Sequence, residues 1–449
     1  MTQASTPDQP AAATTETRLH RGLNLRQLVF ICLGNVVGAG IYALVGEMAA
    51  QVGGALWIPF MLALVLAVLT VFSYAELSSK YPRAGGASTY VLQAFRSPFL
   101  AFMVAFAMVA SAINSASTLS LAAGGYVAEI VPVPAVITAV VLVVALGAVT
   151  ILGVQLSARS NTVLTLVELG GLALVIVAAV AAIAVGTGSA ANLTDMDATG
   201  GSAPDGGLVA VIFAATSLAF FAFIGFEDAA NMAEEAKDPA RTCARALTIA
   251  VLVAAGVYLT IAILVSVVAG GDRLAGSNAP LLEAVRLSPL GIPDVLFTAI
   301  AAIAVGNSVL INLMSSSRLL YGMADQKVLH KVLATVHPTR RTPWIASTVT
   351  IAAAAVFVFT GEVTVLATTT VTLLLAIFTL VNVSVLVLRK ERVEHKHFKA
   401  PTVLPVLGAV VCVVLLTQQE PAVLLRAGVM LLIGVALWLV NHLVVRRRG

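Results

Sequence analysis

Gly34-Asn35-Val36-Val37-Gly38-Ala39-Gly40-Ile41-Tyr42 stands inside an apolar run that extends from about 28 to 50. A run of that length reads as a membrane helix, because about 20 residues at a 1.5 Å rise cross a hydrocarbon core of about 30 Å. Three glycines in so short a stretch argue against an unbroken helix, since each costs roughly 1 kcal/mol relative to alanine. Glycine is also a packing surface in membrane helices, so a close helix contact is the plainer alternative. The crowding of the triplet favours a break.

Eleven further runs follow, at about 55–79, 97–128, 134–153, 161–185, 208–232, 244–270, 292–324, 344–360, 362–388, 401–417 and 421–445. Each is long and continuously apolar, whereas strands of a membrane barrel alternate over roughly ten residues. The expectation is an all-α integral membrane protein of 12 transmembrane helices. Composition agrees: 59% of the chain is hydrophobic and 11% charged, against roughly 25% charged in soluble domains.

The sixth run carries a related flaw, Phe220-Phe221-Ala222-Phe223-Ile224-Gly225-Phe226-Glu227-Asp228, with a glycine and two carboxylates in or beside the span. Runs one and six correspond under a five-plus-five division. Carriers built from inverted repeats interrupt helices at matching positions, where the freed backbone groups form a mid-membrane site. Amides at the start of a half-helix hold a carboxylate, and unwound carbonyls accept from an ammonium. A zwitterionic amino acid suits both, and neither broken run offers Lys or Arg.

Of the 26 Lys and Arg residues, all but Arg273, Arg286 and Arg426 fall on one side if the N-terminus is cytoplasmic. By the positive-inside rule both termini are therefore expected in the cytoplasm of a cell with this protein in its inner or plasma membrane. Residues 1–27 read as a disordered cytoplasmic tail, without the short apolar segment of a secretory signal. Cys32, Cys243 and Cys412, two expected in helices and Cys243 in a loop, form no disulfide framework or metal pair. No cofactor or metal is expected. The scattered basic loops lack a nucleic-acid-binding motif, and no P-loop of the GxxxxGK[ST] type is present.

Several stretches, taken in order, resemble the amino acid, polyamine and organocation (APC) superfamily of permeases. They are Gly34 to Tyr42, Tyr81-Pro82-Arg83-Ala84-Gly85-Gly86, Gly153 to Asn161, Phe220 to Glu227, and Glu234-Glu235-Ala236-Lys237-Asp238-Pro239. Gly153-Val154-Gln155-Leu156-Ser157-Ala158-Arg159 is similar to the cationic amino acid transporter branch and its bacterial relatives. The resemblance implies a LeuT-type fold: ten helices in a 5+5 inverted repeat with helices 1 and 6 broken, plus two C-terminal helices. On that division the core is 28–388, with repeats at about 28–185 and 208–388, and 389–449 holds helices 11 and 12 with a short basic tail.

Carried over residue by residue, the resemblance assigns Ala39 and Gly40 to the substrate carboxylate, with Gly38 also counted among the substrate-binding residues. Carbonyls near Val36, Phe221 and Ile224 would receive the ammonium, and Phe221 or Phe223 would close the pocket; ordinary helix packing is the alternative for either ring. Relatives often carry a Lys in the fifth helix where this chain has Glu168, which reverses the charge and puts their coupling scheme in doubt. A buried ionisable group in a span is a functional candidate by default, so Glu168 and Glu227 are candidates for proton coupling. Asn307 and Asn114 are polar at plausible pocket depth, with interhelical hydrogen bonding as the alternative. Glu234, Glu235, Lys237 and Arg241 are expected in a solvated loop, and Asp195, Asp197 and Asp205 in a long external one.

The expected function is a secondary active amino acid transporter working by alternating access, as a proton symporter or an exchanger, and not an enzyme. A polyamine or organocation carrier of the same fold is the alternative, and a membrane-embedded sensor or channel a more remote one. The substrate, the stoichiometry and the oligomeric state are left open.

Overall fold

The computed structural model describes residues 24–37, 39–82, 86–153, 158–196, 207–227, 236–275, 277–393 and 395–446. The helices are α1 (Leu25–Val36), α2 (Gly40–Val52), α3 (Trp57–Lys80), α4 (Gly86–Phe95), α5 (Pro98–Ala128), α6 (Ala135–Leu152), α7 (Ala158–Ala184) and α8 (Gly207–Phe223). After them come α9 (Pro239–Ala275), α10 (Pro280–Arg286), α11 (Asp294–Asp325), α12 (Trp344–Thr360), α13 (Val363–Leu388), α14 (Val403–Thr417) and α15 (Pro421–Arg446). Among the described residues nine helical stretches are long and apolar enough to cross a membrane, Leu25–Val52 counting as one. Three shorter apolar helices, α8, α12 and α14, accompany them.

Local chemistry sets the helix ends. Asn24 and Gln27 form a reciprocal capping box at the start of α1, each side chain accepting from the other's amide at 3.0 Å. Ser97 caps α5, whose first residue is Pro98, and Gly153 closes α6 in the left-handed region at φ 76°. Within the spans, hydroxyls bond back to their own helix, as Thr369, Thr370 and Thr372 do along α13. A polar side chain thereby enters an apolar medium without an unmet hydrogen bond.

The first run is indeed two helices. α8 stops at Phe223, inside the sixth run, whose expected end at 232 lies outside the described residues, and α9 begins at Pro239 instead of 244. Cys243 and Arg241 consequently lie in the first turns of α9 and not in a loop. All three cysteines are buried and free. Most of the expected tail, with Asp197, Asp205, Glu234 and Glu235, lies outside the described residues.

Helices α2, α3, α5, α8, α9, α11 and α13 make the interior, while α6 and α15 bury only 22% of their apolar windows against protein. Leu425 and Leu432 of α15 are 69% and 67% exposed, a periphery suited to lipid. On one end, the turn Ala190–Thr194 lies across α9 and α3: Asn192 donates to the Ser266 and Val267 carbonyls, and Trp57 to that of Leu193.

The opposite end is tied by a buried ion pair. Glu76, 2% exposed near the end of α3, accepts from Arg389 Nε at 3.1 Å and Nη2 at 2.8 Å, and from the Ala400 amide at 2.8 Å. Lys80 donates to the carbonyls of Leu388 and Glu391, and Tyr81 to the Glu391 carboxylate. Burial, and then that hydrogen bond, push the Tyr81 phenol above its usual range. Arg389→Met leaves Glu76 buried without its cation, a change worth about 3–5 kcal/mol. A marked fall in the melting temperature of the detergent-solubilised protein is expected, and an unchanged one would show that the ends of α3 and α13 do not depend on the pair.

Candidate functional site

The two interruptions lie against each other. α1 ends at Val36 and α2 begins at Gly40, while Gly225, just past α8, takes φ 124°. A Cβ on Gly225 would sit 2.7 Å from the Asn35 carbonyl carbon, and one on Gly40 would sit 2.5 Å from the Ala222 Cα. Only glycine at both positions lets the backbones come so close, and positive φ independently favours glycine at 225.

The freed backbone groups find specific partners. The Tyr258 hydroxyl, fully buried on α9, lies 2.6 Å from the Val36 carbonyl and 3.0 Å from that of Ala222, so one side chain spans the ends of α1 and α8. The Ala39 amide donates to Ser308 Oγ on α11 at 3.3 Å. The Gly225 amide donates to Glu227 Oε2 at 2.9 Å. The first amides of α2 have no carbonyl one turn earlier to serve them, which leaves donors and the positive end of a helix dipole at the break.

A cavity opens at this junction. Of the residues expected to bind substrate, Val36, Ala39, Gly40, Phe221 and Ile224 line it, together with Glu227. Its far walls are matching stripes of two helices: Met108, Ser111, Ala112, Ser115 and Leu119 on α5, and Ser308, Ile311, Asn312, Ser315 and Leu319 on α11. Both recur at helical spacing along one face. On α11 the stripe passes from buried Ser308 to half-buried Asn312, Ser315 and Leu319, so access comes from the end that holds the α11 C-terminus. Toward the other end Tyr42, Tyr126 and Phe297 pack with ring centroids 6.4 Å apart, and Tyr126 donates to the Tyr42 carbonyl. All three rings are at most 1% exposed.

Three residues expected to bind substrate stand elsewhere. Phe223 packs on the Tyr258 ring at 5.3 Å. Asn114 is buried against Met430 of α15, its amide 3.3 Å from the sulfur. Asn307 faces α7 and donates to Glu168 Oε1 at 3.0 Å instead of lining the cavity. Gly38 lies outside the described residues.

Glu168 and Asn307 form a second polar centre behind the cavity. Glu168 is fully buried, its own carbonyl accepts from the Tyr42 hydroxyl at 3.2 Å, and Gly34 of α1 rests on Thr165 one turn away. Glu168 Oε2 and Asn307 Oδ1 have no hydrogen-bond partner among the described residues. No basic side chain among the described residues pairs with Glu168, and no group of three His, Cys, Asp or Glu residues there could hold a metal.

Sequence reasoning passed over Tyr258, Ser111, Ser115, Ser308 and Asn312. The serine and asparagine pairs repeat at i, i+4, which marks a shared face. Tyr258 gives no such signal, being a lone tyrosine in an apolar helix.

The amino acid permease family profile matches residues 23–440. An uncharacterized transporter of Mycobacterium tuberculosis is 32% identical over 432 residues, covering 96% of this chain and 93% of its own length. The branched-chain amino acid permease of Bacillus subtilis is 25% identical over 97% of this chain and 96% of its own. Cationic amino acid transporter 4 of Mus musculus is 26% identical over 85% and 61%.

The close approach of α2 to α8 makes a direct test. Gly40→Ala places a methyl against the Ala222 backbone, an overpacking worth about 1–3 kcal/mol. Lower thermal stability and reduced uptake are expected together, whereas Gly170→Ala, with open space around its Cα, is expected to change neither. Wild-type behaviour of Gly40→Ala would mean that the two breaks are not in backbone contact.

Proposed function

Since this chain belongs to the amino acid permease family of the APC superfamily, we propose that it is a secondary active amino acid transporter that exposes one site alternately to the two sides of a cell membrane. The observation that carries this reading is the cavity at the junction of the two broken helices, bounded by the α2 N-terminus and by carbonyls at the ends of α1 and α8. The carboxylate of an amino acid would meet the amides at Ala39 and Gly40, and its ammonium the carbonyl side. The side chain would extend along the small polar stripes of α5 and α11, where Asn312 and Ser115 set its room. A cavity open toward one end and closed by Tyr42, Tyr126 and Phe297 toward the other is what one state of an alternating cycle requires.

Twelve spans, a 5+5 repeat within 28–388 and a two-helix appendix at 389–449 belong to the same proposal, with both termini cytoplasmic. The twelve helical runs support the count if α8, α12 and α14 also cross. Protons would enter through Glu168 and Glu227. A proton on the Glu168 carboxyl would supply a donor where neither its second oxygen nor that of Asn307 has one. Among the described residues Glu227 is the one acidic side chain on the cavity wall, and no Lys or Arg lines it. That favours neutral or cationic substrates over acidic ones, and it is also what a polyamine carrier would present.

Uptake into proteoliposomes of labelled neutral, cationic and acidic amino acids and putrescine, with and without an inward proton gradient, tests the reading. Saturable uptake of a neutral or cationic amino acid is expected, and putrescine-only uptake would overturn the substrate assignment. For Glu168→Gln the expected result is loss of stimulation by the gradient with amino acid exchange retained. A gradient response equal to wild type would remove Glu168 from the proton path.

A further inference from the structure

A second cavity lies where α4, α5, α11 and α15 meet, separate from the one at the helix breaks. Its floor is apolar: Phe102 of α5, Met323 of α11 and Trp438 of α15, with the Phe102 and Trp438 rings 5.1 Å apart. Its rim is polar, formed by Thr89, Lys327 and His442. The Lys327 ammonium makes no ion pair among the described residues. Its place is fixed by the Asn441 amide, which donates to the Lys327 carbonyl at 2.9 Å, and the His442 ring stacks on Trp438 at an interplanar angle of 8°. α15 supplies one wall, and the outer faces of that helix are exposed apolar surface, so the cavity lies at the boundary with lipid.

We propose that this groove is a binding site for an anionic phospholipid of the surrounding bilayer. An aromatic and thioether floor takes an acyl chain, and a single free ammonium with a neighbouring imidazole and hydroxyl takes the phosphodiester. A zwitterionic headgroup brings its own cation to Lys327 and gains less. A wholly apolar occupant leaves the ammonium unpaired.

The groove shares its helices with the first cavity. Ala105 and Met323 line the groove, while Met108 and Leu319, one turn further along the same helices, line the cavity at the breaks. A lipid seated there therefore rests on the helix halves through which that cavity is reached.

Native mass spectrometry of the full-length, delipidated protein titrated with dioleoylphosphatidylglycerol or dioleoylphosphatidylcholine tests the site without any transport readout. Retention of the phosphatidylglycerol is expected to exceed that of phosphatidylcholine by about fivefold, the factor that one lysine at an anionic surface supplies. Lys327→Gln, an exposed position whose change spares the fold, is expected to abolish the preference, and Trp438→Ala to reduce retention of both lipids. Equal retention of the two lipids by the wild type, or an undiminished preference in Lys327→Gln, would overturn the proposal. So would a melting temperature raised as much by inorganic phosphate as by the lipid, or a cross-link from Lys327 to Asp8 or Glu16, which would assign the groove to the chain's own N-terminal segment.

Discussion

A peptide group without a hydrogen-bond partner costs several kcal/mol in hydrocarbon, and this chain interrupts two helices in such a medium. The interruptions are tolerable because they face each other and share partners. Tyr258 reaches the end of α1 and the end of α8 at once, Ser308 meets the Ala39 amide, and the Gly225 amide turns onto the Glu227 carboxylate. Apart, each break would expose carbonyls and amides to lipid. Together they make a polar centre inside an apolar bundle, and the glycines at 40 and 225 are what let the backbones approach.

The outline of this arrangement was legible in the residues, because length and apolarity alone separate membrane helices from other structure. The break near Gly38 announced itself through glycines that no uniform helix would carry, and α8 stops two residues before Gly225, where positive φ ends a helix. Boundaries at charged segments were harder. Arg241 and Arg245 lower local hydropathy, yet α9 starts at Pro239 because helical hydrogen bonding does not require an apolar residue.

Positions that reach the cavity through their backbone were readable, since amides and carbonyls at a break are offered whatever the side chain. The placement of side chains was not. Asn114, Asn307 and Phe223 each sit at a depth that suits a pocket, but periodicity says which residues share a face and not which helix that face meets. The missing information is azimuthal. Asn307 turned to α7 and Asn114 to α15, while the serines at 111, 115 and 308 have hydroxyls small enough to be satisfied by their own helix and so point nowhere by type alone.

A phenol carries one hydrogen. Tyr258 stands within hydrogen-bonding distance of two carbonyl oxygens, at 2.6 and 3.0 Å, and it can donate to only one of them at a time. At every instant, then, the hydroxyl serves either the α1 end or the α8 end, and its hydrogen can pass between them by a small rotation about a single C–O bond. The single hydrogen is thus shared between two segments that are far apart in sequence and adjacent at the breaks. One side chain on α9 thereby ties the end of α1 to the end of α8, and the position of its hydroxyl hydrogen records which of the two it is holding.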